Sequence, residues 1–185
     1  NILFYIGTNS VGYKGGYVTN GTGWTWVTNF NLANNWSSVC WSPELNYFVG
    51  VASSGTTRIV IYYPMTSIIK YYKCPLNSWT SICWSSELNL FVAVANSGTG
   101  NRVMTSSDGM IWTSRTSPVN NNWTSVCWSK SLNLFVAVAN SGAGDRIMTS
   151  SNGINWQTQV CLENNDWNQV IWVRSLQMFI AVAST

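Results

Sequence analysis

The chain has 185 residues, enough for one domain with a sizeable core; 46% are apolar and only 8% charged, with nine bases against six acids. Twelve Trp and no His exclude Ser-His-Asp and Cys-His nucleophilic triads and remove the commonest metal ligand. Nine scattered bases are too few for a nucleic-acid footprint, and no apolar run approaches the roughly eighteen residues of a membrane-spanning helix.

A repeat orders the chain. Trp36, Trp79, Trp123 and Trp167 stand 43, 44 and 44 residues apart. Trp41, Trp84, Trp128 and Trp172 follow five behind, and Phe48, Phe91, Phe135 and Phe179 close a third column that Phe4 anticipates. A period in the forties marks a repeat architecture in which each unit is one small sheet. In chain order, residues 1–35 read as strands B, C and D of a partial blade. Residues 36–78, 79–122 and 123–166 read as full blades. Within each, WTSVCWS-type segments alternate as strand A and LFVAVA-type segments form a doubly buried strand B. RVMTS is strand C, and strand D starts at the next Trp. Residues 167–185 supply strands A and B again. Turn signals separate the strands: Ser-x-x-Leu-Asn, Asn-Ser-Gly-x-Gly, Ser-Asp-Gly and Asn-rich links. The expectation is one all-β domain over 1–185, a β-propeller of four-stranded antiparallel blades of about 44 residues. It holds four to five blades' worth of strands. Because strand B occurs at both ends and the chain opens at Asn1, the reading expects an arc of a larger propeller.

The turn between strands C and D carries a family resemblance. Ser106-Ser107-Asp108-Gly109-Met110-Ile111-Trp112 resembles the Asp-box of BNR, sialidase-like propellers. Carboxylate and hydroxyl accept from loop amides, Gly permits positive φ, and Trp covers the hairpin. Ser150, Asn152, Gly153 and Trp156 repeat it with Asn for Asp, while Asn20, Gly23 and Trp26 form a weaker version. Pro64 and Met65 replace it in the blade after Trp36. The resemblance implies a folding element on the face opposite the usual ligand site.

Other constellations read as structure. Cys40, Cys83 and Cys127 share a column whose fourth member is Ile171, which makes it packing space. With Cys74 and Cys161 they are expected as free thiols, a pattern that leans towards a reducing compartment. Asn20, Asn35 and Asn122 fit glycosylation sequons only at the frequency chance provides. Arg58, Arg102 and Arg146 recur 44 residues apart and read as solvated or carboxylate-paired. Glu44 and Glu87 share a turn position; Asp145, Glu163 and Asp166 make a poor hydrolase pair. Tyr62, Tyr63, Tyr71 and Tyr72 belong to a blade that has lost its pattern. The two Trp columns differ by five, which predicts opposite faces of strand A, one against each neighbouring blade, and reads most of them as core between packed sheets; a Trp near the loop-bearing rim is left to stack on a sugar ring.

Function is therefore sought without catalysis, metal or cofactor. In a propeller the B-to-C and D-to-A loops share one face. Here they offer neutral carboxamides at Asn96, Asn101, Asn122 and Asn140 beside Trp79, Trp123 and Trp167, a composition suited to a glycan. The first expectation is a non-catalytic, lectin-like binding propeller with a glycan or protein partner. The alternatives are a structural protein that self-associates or docks onto other subunits, and a degenerate glycosidase-like domain without activity.

Overall fold

A computed structural model describes residues 34–184 and the backbone of strands within 2–9, 12–19 and 25–27. The weak turn at Asn20 and Gly23 lies outside the described residues, as do the side chains of Phe4 and Trp26. The described elements are all strands. They are β1 (Ile2–Asn9), β2 (Gly12–Thr19) and β3 (Thr25–Val27), then β4 (Trp36–Ser42), β5 (Tyr47–Ala52), β6 (Ile59–Tyr63) and β7 (Ile68–Tyr72). Next come β8 (Trp79–Ser85), β9 (Leu90–Ala95), β10 (Val103–Ser106) and β11 (Thr113–Arg115). After these follow β12 (Trp123–Ser129), β13 (Leu134–Ala139), β14 (Ile147–Ser150) and β15 (Gln157–Gln159), and finally β16 (Asp166–Val173) and β17 (Met178–Ser184). They form five antiparallel meanders in sequence order: β1–β3, β4–β7, β8–β11, β12–β15 and β16–β17.

Successive first strands lie side by side, β4 against β8, β8 against β12 and β12 against β16. The sheets therefore fan out from a common seam. The second strands β5, β9 and β13 are apolar on both faces because a sheet covers each from either side; β5 is buried along its whole length. The tight turn from first to second strand is set by chemistry repeated in each sheet. Ser42, Ser85 and Ser129 are buried, and each hydroxyl accepts from the amide three residues on. Asn46, Asn89 and Asn133 take the left-handed conformation, which Asn tolerates better than most side chains.

The two Trp columns do not lie on opposite faces. Strand β8 carries a bulge: Trp79 pairs with Ala95 and Ser81 with Val94, so Thr80 is an extra residue. One inserted residue reverses the alternation beyond it. Trp79 and Trp84 consequently share the face that carries Ile82, Phe91, Ala93, Met104 and Trp112. This face packs on Val49, Val51, Ile59 and Ile61 of the preceding sheet. The same bulge recurs in β4, β12 and β16.

The extra residue has a second use. Thr80 Oγ1 donates at 3.0 Å to the Val94 carbonyl or at 2.7 Å to the Trp123 carbonyl of the next sheet. Ser37 and Thr124 bridge in the same way to Trp79 and Trp167. Ser38, Ser81 and Ser125 hydroxyls accept from Ile82, Val126 and Val170 amides one sheet on. A column of hydroxyls thus stitches the seam.

Candidate binding face

The loops joining second to third strands, and the links joining each sheet to the next, meet at one end of the fan. Just before β6, β10 and β14 stands an arginine, Arg58, Arg102 or Arg146, that holds them together. Arg102 Nε donates to the Gly98 carbonyl at 2.8 Å within its own loop, and Nη1 to the Asn121 carbonyl at 2.9 Å in the link to the next sheet. Arg58 grips Gly55 and Asn77 in the same manner, and Arg146 grips Gly142 and Asn165. Only Arg146 also meets a carboxylate, Asp166 at 2.9 Å. The column is therefore neither free in solvent nor generally carboxylate-paired; it serves backbone carbonyls that have no strand partner. Desolvation lowers the Arg102 pKa from its ordinary value.

The links return the grip. Asn77 and Asn121 are buried, and their amides donate to the Asn101 and Asp145 carbonyls and to the Oδ1 atoms of the same two residues. Ser97 and Ser141 hydroxyls accept from the Ser78 and Asn122 amides at 2.7 Å. Asn120 and Asn164 accept from Gly100 and Gly144. Much of the face's polar side-chain capacity is thus spent internally, as turn formers, clamps and staples.

The expected site residues divide accordingly. Trp79 and Trp123 are 0% exposed, so neither presents a ring face for stacking; each fills the space between its sheet and the one before. Trp167 is half-buried against Val136, Val138 and Phe179. Asn101 is engaged by Asn77, and Asn122 Oδ1 accepts from Arg102 at 3.1 Å. Asn96 and Asn140 remain exposed, at equivalent positions one sheet apart, and their carboxamides make no hydrogen bond among the described residues. The clamp arginines and stapling asparagines were missed as a network. Their signal was the strict recurrence of Arg58, Arg102 and Arg146, which spacing alone could not connect to carbonyls about twenty residues away.

At the opposite end the turn residues are brought together. Asp108 Oδ1 accepts from the Met110 and Ile111 amides at 2.9 Å and from Ser106 Oγ at 3.0 Å. Trp112 Nε1 donates to the Gly109 carbonyl at 2.8 Å. Asn152, Ser150, Gly153 and Trp156 reproduce every one of these bonds. Gly109 has φ 65°, and a Cβ there would stand 2.9 Å from Val49 of the preceding sheet. Burial tends to raise the Asp108 pKa, but the Ile111 and Met110 amides and Ser106 outweigh it and leave it lowered. In the sheet that lacks this turn, β6 and β7 close through Pro64–Ser67 instead, with Ser67 at φ 54°.

Many solved structures resemble the chain, two of which illustrate the likeness. Virginiamycin B lyase from Staphylococcus aureus superposes with a TM-score of 0.70 at 13% identity, covering 90% of this chain and 58% of that one. A chain of a nidogen/laminin complex superposes at 0.67 and 11% identity, covering 85% and 60%. The fold is a β-propeller. The five sheets are its blades, and the chain spans about three fifths of the length of these two propellers. No family model and no curated protein sequence matches it.

Within the propeller the scarce acids have structural partners. Glu44 and Glu87 each accept from the indole N–H of the next blade's second Trp, Trp84 at 2.7 Å and Trp128 at 2.8 Å. Lys130 adds an ion pair to Glu87. Burial alone would raise the Glu87 pKa; the bonds from Lys130, Trp128 and Ser86 overcome it and bring it down to about 2. All five cysteines are free. Burial pushes the Cys40 and Cys127 thiols up to about 12 and Cys83 well above its ordinary value, so they stay protonated and inert near neutrality. Among the described residues no three His, Cys, Asp or Glu side chains converge as metal ligands, and no helix is long and apolar enough to cross a membrane.

Proposed function

We propose that the protein is a non-catalytic binding module that takes a neutral, hydroxyl-rich ligand, a glycan, on its loop face. The observation that carries this reading is the pair of exposed, unengaged carboxamides at Asn96 and Asn140, repeated one blade apart on loops locked by Arg102 and Arg146. A carboxamide offers donor and acceptor together, which matches a pair of neighbouring hydroxyls. Loops already immobilised lose little entropy on binding. The reading no longer includes Trp79 and Trp123. A reading without catalysis is supported by the structural engagement of the acids: Glu44 and Glu87 accept from the Trp84 and Trp128 indoles, and Asp108 holds its own turn.

A glycan array probed with the intact protein tests this. Binding should appear for the wild type and disappear in the Asn96→Ala/Asn140→Ala variant, with an unchanged melting temperature. An array with no bound glycan sinks the reading. A second reading, a structural protein docking onto other subunits, is favoured by exposed apolar residues on the terminal blade, Met178, Ile180 and Val182. Sedimentation showing only monomer across a wide concentration range would remove it.

A further inference from the structure

We infer that Asn152 is a site of spontaneous deamidation gated by its own turn: closed, the turn blocks the reaction, and opened, it lets the Gly153 nitrogen displace ammonia from the Asn152 carboxamide. The site lies at the end of the fan opposite the loop face and is independent of any ligand there. Asn followed by Gly occurs at Asn20-Gly21, outside the described residues, and at Asn152-Gly153. Glycine has no side chain to hinder its own nitrogen, so this dipeptide is where an unfolded chain loses ammonia most readily. Base removes the Gly153 N–H proton and the nitrogen attacks Asn152 Cγ. The new C–N bond forms as the Cγ–Nδ2 bond breaks and ammonia leaves. Water then opens the five-membered imide. Cleavage of its bond to Cγ gives aspartate; cleavage at the Asn152 main-chain carbonyl gives isoaspartate, with one extra carbon in the main chain.

Both reacting groups are tied down in the closed turn. The Gly153 N–H is buried and donates to Ser150 Oγ at 2.9 Å. Asn152 Oδ1 accepts from the Ile154 and Asn155 amides at 2.9 Å each and from Ser150 Oγ at 3.2 Å. The carboxamide therefore cannot swing onto the Gly153 nitrogen, and base does not reach the proton. Gly153 is also wedged: its φ is 71°, and an added Cβ would stand 2.9 Å from Leu90 and from Val92 of the blade before. The equivalent turn of that preceding blade shows which product the fold accepts. Asp108 makes the same bonds to Met110 and Ile111 beside Gly109 at φ 65°, so an aspartate at position 152 recloses the turn. An isoaspartate lengthens the main chain just before Gly153, where the fit to Leu90 and Val92 leaves no room, and holds the turn open. Asp108 resists the same attack. Burial works against it, but the Ile111 and Met110 amides and Ser106 keep its carboxyl below its ordinary pKa, and an ionised carboxylate is a poor electrophile. Deamidation and hydrogen exchange at Gly153 share one step, the freeing of its N–H to base, so their rates move together.

The test incubates the intact protein at mildly alkaline pH, native and in denaturant, and reads each asparagine by peptide mass spectrometry that separates aspartate from isoaspartate. In denaturant Asn152 should convert ahead of Asn155, Asn164, Asn165 and Asn168. In the native protein its conversion should slow by the factor that protects the Gly153 amide from hydrogen exchange, within about threefold. Ser150→Ala should speed native conversion about tenfold, and Gly153 exchange with it; if that variant loses its fold, the match of the two factors in the wild type decides. Asn152→Asp should keep the Gly153 protection of the wild type. Asn152 lagging the other asparagines in denaturant, native conversion as fast as in denaturant, or a native rate that departs from Gly153 exchange overturns the inference. Unchanged conversion in a folded Ser150→Ala variant, or lost Gly153 protection in Asn152→Asp, overturns it as well.

Discussion

Asp108 and Asn152 hold the same turn with and without a charge, which isolates what the side chain must do. It must place one oxygen against two loop amides and a hydroxyl. Asp108→Asn should therefore change thermal stability by less than about 0.5 kcal/mol, whereas Asp108→Ala should cost about 1–3 kcal/mol by orphaning those donors. Thermal unfolding of both variants checks the difference. Glu87 makes the complementary point, since its charge is used. Its pKa is about 2 in the folded protein against an ordinary 4.5. The unfolded state thus binds the proton first as pH falls. The contribution of Glu87 is complete above pH 4.5 and is lost as pH drops towards 2. Melting temperature should fall across that window in the wild type, and Glu87→Gln should be lower at neutral pH with a shallower acid slope.

At the scale of the strand, a single bulge does two jobs. It turns Trp79 and Trp84 to one face, and it frees the Thr80 hydroxyl to bond across the seam to the next blade. Thr80→Val keeps the shape and removes both bridging options. It should lower the unfolding free energy by about 1–2 kcal/mol, read as a lower denaturation midpoint with an unchanged m-value, and Thr80→Ser should restore most of the loss. The loops behave likewise as joined elements. Arg102 belongs to β10's approach but spends its guanidinium on the link into the next blade. Rigidity of the loop face is therefore a property of neighbouring blades together, which is why spacing marked the column without giving its role.

Across the molecule, burial runs down towards the last blade. Each inner strand is covered by the blade on either side, while β17 carries exposed residues on the face that interior blades bury. Stability should follow coverage in a stacked array. Amide exchange should be slowest in β9 and fastest in β17 among the second strands, measured on the intact protein. Repeat period, strand order and the Asp108 and Asn152 turns were all readable from the amino acids alone. They depend on alternation and on contacts within a few residues, and those are written locally. The facing of Trp41, Trp84 and Trp128 was not, nor was the choice between core and rim for Trp79 and Trp123, which are fully covered. One extra residue reverses a strand's faces without altering its composition, and a ring is covered only when the neighbouring blade arrives. Partners such as Glu44 and Trp84, or Thr80 and the Trp123 carbonyl, stand more than forty residues apart. Alternation and turn chemistry alone specify a chain of similar small sheets and the turns within them. Contacts between blades fix which side chains those sheets hide, so that Trp79 and Trp123 present no ring while Asn96 and Asn140 stay exposed, because burial belongs to pairs of blades and not to any one of them.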